Sequence, residues 1–184
     1  GFRGDELGLG ARDALAHATV LSGEVGDANT TADNAYHVVT GGVARAVLDG
    51  FVIAGGNADG DGESGLGGGL LNSGAGVGGW PLVRGCVFRA NVARHGGAAY
   101  NFVDASARFV ACRFERNRAL GDAYAGGNGG ALGASDGANI SVSDCVFRSN
   151  TASRRGGALY ADYGACPSVA RTLFEDNVAA GHGG

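Results

Sequence analysis

Short alternations of apolar and polar residues recur along the chain, and their period is two rather than 3.6. In the run Cys145–Phe147, Cys145 and Phe147 fall on one face and Val146 on the other. The neighbouring runs Ile140–Val142 and Ala158–Tyr160 are just as short. Glycine and asparagine stand between the runs, where the chain turns through positive φ. The pattern predicts very short β-strands, three to each unit of ~27 residues.

The units repeat. Cys86-Val87-Phe88-Arg89-Ala90-Asn91-Val92-Ala93 leads to Gly96-Gly97-Ala98. Cys112-Arg113-Phe114-Glu115-Arg116-Asn117-Arg118-Ala119 leads to Gly129-Gly130-Ala131. Cys145-Val146-Phe147-Arg148-Ser149-Asn150-Thr151-Ala152 leads to Gly156-Gly157-Ala158. A fourth copy runs from Thr172 through Phe174 and Asn177 to Gly183-Gly184. The asparagines step by 26, 33 and 27 residues. A looser copy lies upstream at Phe51-Val52-Ile53, Asn57 and Gly68-Gly69. Repeat units fall near 44–80, 81–107, 108–138, 139–166 and 167–184.

Stacked units of this kind make an all-β parallel β-helix, a solenoid of about six coils with three strands per coil, ~4.8 Å apart. It is expected to be right-handed, because parallel crossovers nearly always are. Like residues then share columns. Phe88, Phe114, Phe147 and Phe174 form an inward aromatic stack. Cys86, Cys112, Cys145 and Thr172 form a second inward column. Asn91, Asn117, Asn150 and Asn177 form a corner ladder in which each amide serves the next.

Composition narrows the class. Glycine supplies 37 of 184 residues and proline two, with no Gly-X-Y period, which excludes collagen. Apolar residues reach 45%, enough for a core, and no run is long enough to span a membrane. The net charge is −4 and all 14 basic residues are arginine. An acidic chain without a basic block does not suggest nucleic-acid binding. The chain has no methionine and no apolar signal segment.

The pattern C-x-F-x-x-N-x-A followed by G-G-A is similar to the repeats of the chlamydial polymorphic outer-membrane protein family. Phe88–Asn91, Phe114–Asn117, Phe147–Asn150 and Phe174–Asn177 match its FxxN signature. Gly130-Ala131-Leu132 and Gly157-Ala158-Leu159 match its GGA-aliphatic signature, and Gly97-Ala98-Ala99 does so loosely. Thr19–Glu24, Asp33–Val39 and Leu48–Ile53 resemble a broader group of bacterial right-handed β-helix proteins. The resemblance implies an extracellular or cell-surface, often adhesive, protein. These are scaffold motifs and bring no catalytic residues with them.

Two loops after the asparagine position are long, Asn57 to Gly69 and Asn117 to Gly130. They belong to alternate coils and should project from one edge ~10 Å apart. The first carries Asp59, Asp61 and Glu63, and the second Asp122, Tyr124 and Asn128. These six residues are the candidate binding surface. Asn57, Asp59, Asp61 and Glu63 also have the alternate spacing of a calcium loop. The match is incomplete, because Gly68 stands where the bidentate glutamate belongs and Asn57 is assigned to the corner ladder. A phosphate loop is excluded, since no GxxxxGK[ST] occurs and the chain has no lysine.

An outward column reads Arg89, Glu115, Arg148, Glu175. Alternating signs on adjacent coils suit a self-neutralising salt-bridge ladder. His17, His37, His95 and His182 are scattered. No C-x-x-C occurs, so the cysteines suggest buried free thiols rather than zinc, with Cys166 off the column.

Neither end offers a capping element, so more coils, or further copies, are expected to stack there. The sequence therefore predicts a surface scaffold with a structural or adhesive role toward a protein or glycan ligand. One alternative is an enzyme acting on polysaccharide, a pectate-lyase-like lyase or a glycoside hydrolase. Another is a calcium-dependent assembly module of a filament or surface layer.

Overall fold

The structure is a computed structural model describing residues 8, 13, 16–41, 45–74, 81–122 and 126–183. Its strands lie in four sheets, each strand pairing in parallel with its counterpart one winding away. Sheet A holds Thr19–Ser22, Phe51–Ala54, Val87–Arg89, Arg113–Glu115, Val146–Arg148 and Leu173–Glu175. Sheet D holds the two-residue strands Asn57–Ala58, Val92–Ala93, Arg118–Ala119, Thr151–Ala152 and Val178–Ala179. Sheet B holds Val39–Gly41, Leu70–Ser73, Ala99–Phe102, Leu132–Ala134 and Leu159–Ala161. Sheet C holds Val47–Asp49, Leu82–Arg84, Arg108–Val110, Ser141–Ser143 and Ser168–Ala170. The chain visits A, D, B and C in turn, and so builds a parallel β-solenoid.

Two details differ from the sequence expectation. Each full winding has four strands rather than three. The extra one is the x-A pair after the asparagine, and two residues are too few to display an alternation. The described strands also make about five windings rather than six. After Thr19–Ser22, residues 23–38 run through turns and bends and contribute no strand to sheet D.

Corners explain why the strands are so short. Ala90, Arg116, Ser149 and Asp176 adopt φ of 53°, 54°, 55° and 54°, and Gly55 takes the same corner of the first winding at 76°. A left-handed residue ends the strand and swings the chain into sheet D. Outside glycine, each such residue costs roughly 1–2 kcal/mol, so something must offset it. The asparagine that follows does so.

Asn117 lies fully buried at the next position. Its Oδ1 accepts from the Asn91 N–H and Nδ2, both at 3.1 Å. Its Nδ2 donates to Phe88 O and to Asn150 Oδ1, both at 3.0 Å. Asn150 repeats the pattern toward Phe114 O and Asn177 Oδ1. The ladder ends upstream at Gly56, whose N–H donates to Asn91 Oδ1 at 3.1 Å. A Cβ on Gly56 would lie 1.8 Å from Gly68 O, so no asparagine fits there. Asn57, expected as a rung, is instead one residue further on and pairs with Val92 in sheet D.

Inside, the Phe88, Phe114, Phe147 and Phe174 rings stack face to face along the axis. Successive centroids are 5.1, 4.4 and 5.0 Å apart and the rings are within 12° of parallel. Phe109 of sheet C packs edge-on against Phe88 and Phe114. Ile53 continues the column below Phe88. Cys86, Cys112 and Cys145 are buried free thiols, and Cys166 is exposed. The Cys112 N–H donates to Cys145 Sγ at 3.3 Å, and the Cys145 N–H to Thr172 Oγ1 at 3.4 Å. Burial pushes the Cys86 thiol up, and hydrogen bonding to Cys145 together with burial holds Cys112 protonated.

A second, shorter ladder was not legible in the sequence. In sheet B, Asn72 and Asn101 are buried and in register, and Asn72 Nδ2 donates to Asn101 Oδ1 at 3.0 Å. Ala134 follows them in the column, and Asn101 Nδ2 is left without a partner among the described residues.

The glycine pair has two separate duties. Gly129 adopts φ of 69° at the turn into sheet B. Gly130 lies where a Cβ would be 2.1 Å from Gly157 O of the next winding. Gly130→Ala is therefore expected to lower stability by about 1–3 kcal/mol through overpacking, read from urea denaturation. Asn117→Leu should cost about 2–3 kcal/mol, because it strands the Asn91 donors. Asn177→Leu, at the last described rung, should cost less in the same measurement; equal losses would show that the ladder's continuity contributes nothing.

Candidate functional site

The two long loops leave sheet D from alternate windings, and the strand Val92–Ala93 lies between them. That middle winding goes straight on to Arg94, a residue the sequence reading did not single out. The Arg94 N–H donates to Ala58 O and Gly65 O, and its carbonyl accepts from Gly121 N–H. Its backbone thus joins both loops.

The Arg94 side chain does the same. Its Nε donates to Asp59 O at 3.0 Å, and one guanidinium nitrogen lies 2.8 Å from Asp61 Oδ1. That same nitrogen is 3.8 Å from Asp122 Oδ2. The stem crosses Gly65, where a Cβ would come within 2.9 Å of Arg94 Cδ. Only 25% of the side chain is exposed, against 96% of the Asp61 side chain. An ion pair so open to water adds little stability. The tie between the loops is carried instead by the Arg94 backbone bonds to Ala58, Gly65 and Gly121 and by its Nε bond to Asp59 O.

Between the loops lies a cleft of about 410 Å³, lined by Thr31, Asn57, Asp59, Arg94, Leu120 and Asp122 among others. Asn57 Nδ2 donates to Thr31 O at 3.0 Å and to Asp59 Oδ2 at 3.1 Å, fixing that carboxylate at the wall. Asp61 at the rim and Asp122 flank the Arg94 guanidinium, and the Asp59 carboxylate, held by Asn57, adds a third negative charge to the lining. Such a site favours ligands with hydroxyl or amine donors over anions.

The remaining candidates are distributed differently. Glu63 sits in the 3₁₀ turn Gly62–Gly65 and accepts from Ser73 Oγ at 3.2 Å, on the side of sheet B. Asn128 is buried beyond the cleft; its N–H donates to His95 Nδ1 at 3.3 Å, and its Oδ1 lacks a partner among the described residues. Burial lowers the His95 pKa, which suits a neutral ring accepting that bond. Tyr124 lies outside the described residues.

Of the calcium-loop residues, Asn57 bonds Asp59, whereas Asp61 turns to Arg94 and Glu63 to Ser73. Among the described residues, no three His, Cys, Asp or Glu side chains come together as a metal shell. Arg94 already supplies the positive charge that Asp61 faces.

The outward column of sheet A also departs from expectation. Arg148 reaches Glu175 across windings at 2.6 Å. Glu115, however, bonds to Arg113 of its own strand at 2.8 Å instead of joining Arg89 and Arg148 in one ladder. Residues two apart on a strand share a face, so Arg113 competes for the carboxylate.

Residues 144–162 match the Chlamydia polymorphic membrane protein repeat. The match covers the strands Val146–Arg148, Thr151–Ala152 and Leu159–Ala161 of one winding, including Phe147, Asn150 and Gly156-Gly157-Ala158, and stops before its sheet C strand. Neither curated proteins nor solved structures gave a match to the chain. The same aromatic and asparagine columns pass through that winding and its neighbours, so the chain is a parallel β-helix repeat protein similar to the Chlamydia polymorphic membrane proteins.

Proposed function

We propose that this protein is an extracellular or cell-surface scaffold that binds a protein or glycan ligand through the cleft between its two long loops. The matched repeat supports surface association. The observation that carries the binding role is Arg94, which draws two insertions from separate windings into one lined cleft. A tolerated surface insertion needs no such clasp, because exposed loops absorb extra length at little cost. A rod built on satisfied internal ladders presents the cleft with little ordering to be done on binding. No helix among the described residues is long and apolar enough to cross a membrane.

The test uses an array of neutral, sialylated and sulfated glycans together with collagen, fibronectin and laminin. The wild-type chain is expected to hold at least one probe that the variant Asp59→Asn/Arg94→Ala/Asp122→Asn loses by roughly tenfold or more, a change of ~1.4 kcal/mol. If the variant keeps its fold by circular dichroism and retains every bound probe equally, the cleft is not the binding site.

Calcium is expected to leave stability unchanged. The unfolding midpoint in chelator and in excess calcium should agree within about 1 °C, since ligand binding of even ~1 kcal/mol would shift it by several degrees. A rise of several degrees with calcium would support Asn57, Asp59, Asp61 and Glu63 as a metal site and favour the assembly-module alternative.

A further inference from the structure

The chain carries a net charge of −4, yet one side of the solenoid is strongly basic. Residues 86–93, 112–119 and 145–152 build sheets A and D and their shared corner in three successive windings. They include Arg89, Arg113, Arg116, Arg118 and Arg148, and a single acid, Glu115. All five arginines are exposed. The acid is occupied by Arg113, and Arg148 is held by Glu175 of the following winding. Arg89, Arg116 and Arg118 have no carboxylate partner among the described residues.

These side chains adjoin one another in the fold. A recess of about 180 Å³ is lined by Arg113, Glu115, Arg116, Arg148 and Ser149. A neighbouring recess of about 230 Å³ shares Arg113 and Glu115 and adds Arg89. Arg118 continues the basic surface onto sheet D. Arg113, Arg116 and Arg118 lie along one winding, with Arg89 and Arg148 on the windings to either side, and parallel stacking sets those rows ~4.8 Å apart, so the positive charges form a patch across three windings.

We propose that this face is a binding surface for a linear sulfated polysaccharide, separate from the loop cleft. A patch of guanidinium groups spread over three windings matches an anionic chain laid across it, and each fork can bond two oxygens of one anionic group. Counterion release rewards the more densely charged polymer, which favours sulfated chains over those bearing carboxylates alone. Glu115 opposes weakly charged polymers further. Bases would have nothing to stack on, since the outward positions of these segments hold no aromatic side chain.

The test titrates the full chain with a heparin decasaccharide at about 50 and about 200 mM salt. Polygalacturonate, dextran and single-stranded DNA are run in parallel. The variant Arg89→Ala/Arg116→Ser/Arg118→Thr uses residues that other windings carry at the same positions (Ala54, Ser149 and Thr151), so the fold is retained. It should bind heparin at least ~tenfold more weakly, with a shallower salt dependence. Arg84→Ala/Arg108→Ala/Arg171→Ala removes equal charge along sheet C and should stay within ~twofold of wild type. Equal losses in the two variants would mean diffuse attraction and overturn the proposal. So would polygalacturonate or DNA binding as tightly as heparin to the wild-type chain. Arg118→Thr alone, a single exposed change, should still weaken heparin binding measurably, and an unchanged affinity would count against the face.

Discussion

The amide of Asn117 is shut away from water, and its oxygen has few donors within reach other than the main-chain and side-chain N–H of Asn91 one winding below. That requirement holds at every rung, and it fixes how windings lie on one another. A slip of one residue in any strand would turn its inward side chains outward. It would also leave buried amides unpaired, at the full desolvation cost of each group. The phenylalanine stack, the thiol column and the glycine pairs all depend on the same alignment. Gly130 is close-packed against Gly157 O only because the two windings are in register.

A rod held this way is rigid inside and free to vary outside. Inward columns keep residue type from one winding to the next, as Phe88 to Phe174 do. Outward columns change at each step, as Arg89, Glu115, Arg148 and Glu175 do. Insertions are accepted where the chain leaves sheet D, because the turn there is already exposed. Two such insertions separated by one short turn leave a space between them, and Arg94 fills its floor.

Charge follows the same division. Arginines that face outward in three consecutive windings accumulate along one side, while the acids gather in the loops and in the last winding. The net charge of the chain conceals this separation. The loop cleft is carboxylate-rich and the sheet A face is guanidinium-rich, so the two surfaces suit ligands of different chemistry.

Much of this was legible in the residues themselves. The period-two runs, the recurrence of F-x-x-N and the G-G-A turns determined a parallel solenoid, because residues one unit apart can bury their apolar faces only against each other. Repetition also announced the phenylalanine and asparagine columns. The fourth strand of each winding was hidden, since two residues show no period, and Asn57 was misplaced by one position because Gly56 occupies the rung. The Asn72–Asn101 pair escaped notice because it spans only two windings. Arg94 could be recognised only after folding. The residues it joins lie 33 and 35 positions back, at Asp61 and Asp59, and 28 forward, at Asp122, and no local pattern ties them together. Local sequence determines which way a side chain faces, but which charges meet is decided by the lengths of whole windings, and these are set only when the windings stack.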